Sequence, residues 1–174
     1  MRAVYLALAN ETDMKMKKII SILAIAFLMT MCSTTKTSKS NTVAKSRPEV
    51  QYKDDFRAAP AKEREALLKD LNAAGANYSV LIFTKNFKGE KVVTSNAKKT
   101  LHTGYLISDL KSGIADKIRI DNTLNTKILD SSDKNEIIIE AKEAQKHKFI
   151  YLMKNPGGKR PFTITYSNTL RPLE

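Results

Sequence analysis

The single cysteine of this chain, Cys32, sets the strongest constraint on how the chain can fold. One cysteine cannot form an internal disulfide, so the fold must be stabilised by a hydrophobic core alone. The chain has 174 residues, of which 42% are hydrophobic. The part that follows the polar stretch after Cys32 has the usual length of one independent domain. The sequence therefore predicts a single globular domain, residues 53–174, that is held together by its core.

A short apolar run lies directly before Cys32. The run, Ile19–Met31, follows the Lys-rich stretch Lys15–Lys18 and is followed by Ser, Thr and Lys residues. As a helix it would be about 20 Å long, whereas crossing a bilayer takes about 20 apolar residues. A basic start and a short apolar segment are typical of a secretory signal. We therefore expect residues 14–31 to be an export signal.

The residues before the Lys-rich stretch fit no part of such a signal. Residues 1–13 include two acidic side chains, Glu11 and Asp13. The first region of an export signal is positively charged. We therefore expect translation to begin at Met14 or Met16, and residues 1–13 to be an artefact of start-site choice.

The arrangement around Cys32 resembles the signal of bacterial lipoproteins, in which a lipobox cysteine becomes the acylated N-terminus. That family has Leu three residues before the cysteine and a small residue directly before it. Here Met29 and Met31 occupy these positions, and Leu28 lies one place earlier. The resemblance covers only Met14–Ser40. It implies lipid attachment at Cys32, a membrane partner through that anchor, and a location in the cell envelope facing the periplasm of a Gram-negative bacterium. Cleavage to a free periplasmic protein and a core helix of a cytosolic protein are the alternatives.

A polar stretch links Cys32 to the domain. Residues 33–52 are rich in Ser, Thr and Lys and carry little apolar surface, so we expect 32–52 to be a flexible basic tether. Its basic residues, with two more in a later turn, are candidates for contact with an anionic surface such as phospholipid, lipopolysaccharide or wall polymer. Solvation of these charges is the other interpretation. The candidate residues are Lys36, Lys39, Lys45, Arg47, Lys159 and Arg160.

The domain is predicted to begin with one helix. Pro60 suits the first turn of a helix, where its missing N–H is not needed. Leu67 and Leu71 belong to an apolar stripe with helical spacing, and Gly75 is a natural C-terminal cap. The pattern predicts a helix over Ala61–Ala74.

Short apolar or alternating runs then predict strands. Tyr78–Asn86 and Lys91–Ser95 flank a turn and are predicted to pair as a hairpin. The other predicted strands are Thr100–Ile107, Lys117–Asp121, Lys127–Leu129, Asn135–Ala141, Lys148–Lys154 and Phe162–Ser167. Lys127–Leu129 is predicted as a short edge strand, and a helical stripe is the alternative for the segment that begins at Asn135. Closely spaced strands after one helix predict a mainly β fold, either a β-sandwich or a partly open barrel, with α+β as the alternative.

No catalytic or metal-binding pattern stands out. His102 and His147 share no local ligand spacing, and Asp130–Glu136 lacks the glycine of a calcium loop. Gly157–Arg160 joins two predicted strands, unlike a phosphate-binding loop, which joins a strand to a helix. We therefore expect no catalytic residue, no metal ion and no cofactor.

These observations predict a binding domain of unknown ligand on a membrane tether. Its partner would be an envelope protein or an anionic envelope polymer. The export signal, and the lack of a basic motif with interleaved aromatic residues, argue against nucleic acid. An envelope enzyme such as a hydrolase, and an adaptor subunit that pairs through a strand edge, are the alternative functions.

Overall fold

The computed structural model describes residues 44–45 and 47–174. The mainly β fold is confirmed, because ten strands form two sheets and only two short helices are present within these residues. No helix in this part of the chain is both long and apolar enough to cross a membrane. The predicted export signal and lipid attachment at Cys32 lie outside the described residues.

Sheet A has five strands among the described residues. They are β1 (Ala44–Lys45), β4 (Lys88–Ser95), β5 (Thr100–Ile107), β7 (Thr126–Asp130) and β8 (Asn135–Ile139). Their spatial order is β1-β8-β7-β4-β5. The pairs are antiparallel, except that β1 runs parallel to β8.

Sheet B also has five strands. They are β2 (Glu49–Tyr52), β3 (Tyr78–Phe83), β6 (Asp116–Asp121), β9 (Phe149–Lys154) and β10 (Phe162–Ser167). Their order is β2-β10-β9-β3-β6. Two pairs are parallel, β2 with β10 and β3 with β9, and the other two are antiparallel.

The two sheets pack face to face as a β-sandwich. Alternate residues of strands from both sheets meet in one buried cluster, as expected where each strand turns every second side chain inward. Large members of this core are Leu81, Phe83, Ile120, Ile128, Ile137, Ile139, Ile150, Leu152, Phe162 and Ile164.

A second apolar layer covers part of the other face of sheet B. Helix α1 (Ala61–Asp70) contributes Leu67, and the C-terminal segment contributes Leu170, to a cluster on β3 and β9. In the strands, Ile82 and Phe149 face this layer. Both faces of β3 and β9 are therefore buried, which explains why their sequences are apolar at nearly every position.

Helix α1 begins where predicted and ends four residues early. Asn72 has φ of 49°, and the N–H of Ala73 donates to the carbonyl of Leu68 at 2.7 Å. An asparagine in the left-handed region ends a helix in the way that glycine usually does. The C-terminal capping residue of α1 is therefore Asn72 and not, as predicted, Gly75.

The predicted hairpin between the first two strands is wrong. β3 lies inside sheet B between β9 and β6, whereas β4 lies in sheet A between β7 and β5. Asn86, with φ of 74°, lies where the chain leaves sheet B, and its side-chain amide donates to the carbonyl of Lys154 at 2.8 Å. A strand that is apolar on both faces needs strand neighbours on each side and cover on each face. A hairpin with β4, which has one polar face, would not bury β3 in this way.

The predicted flexible tether, residues 32–52, includes residues that belong to the folded domain. β2 lies within it and pairs with β10 from Glu49 to Tyr52, and β1 pairs with β8. The ring of Tyr52 also stacks on Tyr166, with centroids 5.5 Å apart. The domain therefore begins before the predicted boundary at Lys53, because strand pairing satisfies backbone groups that the tether would expose to water.

The remaining strands lie close to their predicted positions. Thr100–Ile107 and Phe162–Ser167 have the predicted bounds. The edge position predicted for Lys127–Leu129 is wrong, because β7 lies inside sheet A between β8 and β4. The strand predicted over Asn135–Ala141 ends at Ile139, and a short helix, α2 (Ala141–Ala144), follows it.

Candidate functional site

A pocket of about 400 Å³ lies on the outer face of sheet B. Tyr151 and Met153 of β9, Thr163 and Thr165 of β10, and Gln51 of β2 line it. These side chains lie on one face because the three strands are paired in register, with Thr165 opposite both Tyr151 and Gln51. The floor of the pocket therefore offers hydroxyl and amide groups beside a thioether and an aromatic ring.

Three basic side chains line the same pocket. Lys53 directly follows β2, Lys85 lies shortly after β3, and Arg171 lies in the segment after β10. No acidic residue lines the pocket, and no ion pair found among the described residues involves these three side chains. The pocket therefore carries positive charge that the domain itself does not neutralise.

The guanidinium of Arg171 lies in the corner formed by two nearly perpendicular aromatic rings. Its central carbon lies 4.2 Å from the ring centroid of Phe56 and 4.4 Å from that of Tyr151. Its Nε is buried and has no hydrogen-bond partner, which is uncommon for a buried polar atom. Contact with the two rings restricts the position of the guanidinium.

The hydroxyl of Tyr151 fixes the backbone around Arg171. It donates to the carbonyl of Thr169 at 3.0 Å and accepts from the N–H of Arg171 at 2.8 Å. Burial raises the pKa of Tyr151 to about 12, so the hydroxyl stays protonated and keeps both bonds at neutral pH. The C-terminal segment is thereby held against β9.

A tight turn from Asp109 to Gly113 lies close to the side chain of Lys85. One carboxylate oxygen of Asp109 accepts hydrogen bonds from the N–H groups of Lys111 (3.0 Å) and Ser112 (2.7 Å). These bonds, that of Ser112 foremost, hold the pKa of Asp109 below its usual value. Gly113 has φ of 69°, and a Cβ there would lie 3.2 Å from Cε of Lys85. Glycine therefore allows both the turn and the close approach of the lysine side chain.

A second pocket of about 450 Å³ continues from the first along sheet B. The two share Gln51, Met153 and Thr163, and the second extends to Lys159 and Arg160 in the turn between β9 and β10. We call the two pockets together the basic groove. The residues that define it here are Gln51, Lys53, Lys85, Tyr151, Met153, Lys159, Arg160, Thr163, Thr165 and Arg171.

The second pocket contains one acidic residue. Glu49 lines it and accepts a hydrogen bond from the side-chain amide of Gln51 at 2.8 Å. On the other side, the amide of Asn155 donates to the hydroxyl of Thr163 at 2.8 Å. This part of the groove is therefore polar and carries charges of both signs.

The residues predicted to contact an anionic surface are only partly brought together. Lys159 and Arg160 are exposed at one end of the basic groove, and Arg47 is exposed just before β2. Lys45 belongs to β1 of the other sheet. Lys36 and Lys39 lie outside the described residues.

A separate charged cluster lies between the two sheets. The Nζ of Lys154 is 2.8 Å from Glu90, 2.8 Å from Asp130 and 2.7 Å from Asp133. The Lys154 side chain is 6% exposed and that of Asp130 is completely buried. Burial alone would lower the pKa of Lys154, but its hydrogen bonds to the three carboxylates outweigh burial and raise it. Each charge in this cluster has a partner, so the cluster connects sheet B to sheet A.

The described residues contain no group of three or more His, Cys, Asp or Glu side chains that could hold a metal ion. The Nδ1 of His102 lies 3.3 Å from a carboxylate oxygen of Asp116. His147 packs against Tyr52 and Tyr166, with ring centroids 5.5 and 5.3 Å away. Both histidines thus have structural contacts in the domain.

Sequence analysis did not find the main part of the groove. Lys53, Lys85 and Arg171 are far apart in the chain and belong to no recognisable motif. Only the topology of sheet B brings them to one pocket. No protein-family model, curated protein or solved structure matches the chain.

Proposed function

We propose that this protein is an exported lipoprotein whose domain binds an anionic ligand in the basic groove without catalysing a reaction. The observation that carries the proposal is the pocket lined by Lys53, Lys85 and Arg171 and by no carboxylate. Positive charge in a partly enclosed site attracts anions more strongly than the same charge on an open surface. The planar guanidinium of Arg171 also matches the two oxygens of a carboxylate or phosphate.

The floor of the pocket limits the kind of anion. Thr163 and Thr165 are 4% and 6% exposed, so their side chains lie within the sheet surface. With Gln51, they provide neutral hydrogen-bonding groups, and Met153 adds an apolar contact. A ligand that combines an acidic group with hydroxyl groups suits this mixture better than a simple inorganic ion.

The anchor would keep this groove at the envelope. Support comes from the apolar run before Cys32 and its resemblance to lipoprotein signals. Two acyl chains on one cysteine would suffice for stable membrane attachment. Metabolic labelling with a clickable palmitate should mark the wild type but not Cys32→Ala, and equal labelling of the two would contradict acylation at Cys32.

Calorimetric titration of the full chain tests the binding function. D-glucuronate and D-glucose 6-phosphate carry a carboxylate and a phosphate on a similar ring, and D-glucose is the uncharged control. We expect the two anions to bind and glucose not to bind. Arg171→Lys keeps the charge but loses the planar fork, so it should weaken binding of the anions about tenfold.

Lys91→Gln is the matched control variant, because Lys91 is exposed on β4 of the other sheet. It removes one positive charge without touching the groove, so its affinities should equal those of the wild type. Absence of heat for both anions at millimolar concentration, or equal losses in Arg171→Lys and Lys91→Gln, would contradict the proposal.

The structure favours one further candidate, a strand-pairing adaptor. β5 is an edge of sheet A that pairs with β4 alone in the described structure, and its eight residues include no Lys, Arg, Asp or Glu. Its Tyr105 and Ile107 are 73% and 67% exposed. Uncharged edges are open to pairing with another strand. Tyr105→Lys should remove a specific partner that co-purifies from detergent-solubilised envelopes, and an unchanged set of partners would count against the adaptor.

A further inference from the structure

We infer that the ligand of the basic groove is a linear acidic oligosaccharide whose charges are separated by neutral units. This inference rests on the proposed function and specifies its ligand. It begins with the two ends of the groove, which are both positive: Lys53 and Arg171 lie at one end, and Lys159 and Arg160 at the other.

The separation of the two ends sets the length of the ligand. β10 runs along the groove, and Lys53 donates its backbone N–H to Tyr166 near the end of that strand. The turn that holds Arg160 lies directly before the start of β10. At the usual rise per strand residue, the ends are about 20 Å apart. One sugar ring cannot reach both, so a ligand that uses both ends is a chain.

The middle of the groove favours uncharged, hydroxylated units. The side chains there are neutral, namely Gln51 of β2, Met153 of β9 and Thr163 of β10. Both pockets contain these three residues, which makes the groove continuous. Sugar hydroxyl groups can both donate to and accept from threonine and amide side chains.

The single acid in the groove disfavours a uniformly charged polymer. Glu49 lines the second pocket beside Thr163, its register partner on β10. A polyphosphate chain would bring one of its charges close to this carboxylate, and like charges in a partly enclosed site repel. A chain with a neutral unit at this point avoids the repulsion. The groove therefore fits acidic groups that are spaced along a glycan.

Calorimetry on the full chain with ligands of increasing length tests this inference. The probes are D-glucuronate and the tetrasaccharide and hexasaccharide of hyaluronan, in which glucuronate alternates with a neutral amino sugar. We expect the hexasaccharide to bind about tenfold more tightly than glucuronate, as one added charge-assisted hydrogen bond would produce. Hexa-N-acetylchitohexaose, which is neutral and of the same length, should bind at least tenfold more weakly than the hyaluronan hexasaccharide.

Arg160→Gln shows whether the far end of the groove contributes. The backbone carbonyl of Arg160 accepts from Asn155 at 3.2 Å, and this bond survives the substitution. The variant should lower the hexasaccharide affinity to near that of glucuronate, whereas Lys91→Gln should keep the wild-type affinity for it. Loss of the hexasaccharide gain in both variants to the same extent would overturn the inference.

The remaining outcomes separate this inference from the proposed function. Binding of glucuronate without any gain for the longer probes would overturn the inference and leave the proposed function intact. Tight binding of polyphosphate with weak binding of hyaluronan would overturn the glycan assignment alone. Failure of glucuronate, glucose 6-phosphate and all the oligomers to bind would overturn both.

Discussion

One buried lysine and a group of three basic side chains differ in the carboxylates that surround them. Lys154 lies between the sheets, where three carboxylates contact its amino group. Lys53, Lys85 and Arg171 lie on the outer face of sheet B, in a pocket that no carboxylate lines. The internal charge is neutralised by the fold, whereas no ion pair found among the described residues involves the outer charges, which bind the ligand in the proposed function. Basic residues in one small domain can thus serve stability in one place and binding in another.

The two surroundings lie on opposite faces of a single strand, β9. Met153 of β9 faces the basic groove, and the next residue, Lys154, points between the sheets toward Asp130. The alternation of side chains along a strand separates them by the thickness of one sheet. Substitutions at neighbouring positions should therefore affect different properties, and the following predictions test this separation.

The largest effect is expected from Lys154→Met. The substitution leaves the fully buried carboxylate of Asp130 without its cationic partner. Loss of one member of a buried ion pair typically lowers the free energy of unfolding by about 3–5 kcal/mol. Urea denaturation followed by circular dichroism measures this loss.

Lys127→Met provides the matched control for Lys154→Met. Lys127 pairs with Glu136 at 3.4 Å, but its side chain is 50% exposed, so its removal should cost less than about 1 kcal/mol. Equal losses in the two variants would show that the buried cluster does not stabilise the domain. If Lys154→Met does not fold, Asp133→Asn, which removes the half-exposed partner, should give a smaller loss that can be measured.

A binding effect without a stability effect is expected from Lys85→Met. Methionine keeps most of the aliphatic side chain that packs near Gly113, and it removes only the charge. Affinity for glucuronate should fall about tenfold, while the free energy of unfolding should change by less than about 0.5 kcal/mol. Calorimetry and urea denaturation on the same sample measure both, and a stability loss comparable to that of Lys154→Met would remove the distinction between the two regions.

The smallest effect is expected in the pH dependence of the domain's stability. Burial acts to raise the pKa of Glu90, but hydrogen bonds from Lys154 and from the backbone N–H of Lys88 outweigh it, so the pKa is lowered. A lowered pKa means that the carboxylate stabilises the fold above its unfolded value of about 4.3, and that this stability is lost as pH falls through the folded value.

Urea midpoints between pH 7 and pH 3 measure this dependence. The wild type should be nearly constant above about pH 5 and should lose stability below about pH 4. Glu90→Gln should be less stable at pH 7 and should show a shallower loss in acid. Curves of equal slope would mean that the cluster contributes nothing to the acid response.

The elements with clear local patterns could be predicted from the sequence. The alternation in Phe162–Ser167 located β10 with its correct bounds, and Pro60 marked the start of α1. The mainly β fold followed from the number and spacing of such runs. Sequence patterns of this kind show which side chains of a strand are buried, and they can be read from that strand alone.

Strand pairing and the candidate site could not be predicted in the same way. Tyr78–Asn86 and Lys91–Ser95 look like a hairpin because they are close in sequence, but the former is buried on both faces and belongs to the other sheet. Lys53 and Arg171 meet only because β2 pairs with β10, the last strand. Such contacts depend on the whole topology, and no local pattern contains them.

The position of β10 also determines when the domain can fold. This last strand is buried at all six of its positions and lies between the first strand of its sheet, β2, and β9. Contacts between distant parts of a chain form slowly, because a long loop must close before they contribute. During synthesis, sheet B stays incomplete until residue 167 has emerged. Removal of the seven residues that follow Ser167 would leave β10 in place, whereas a truncation before Phe162 should yield a chain that cannot reach its native state at all.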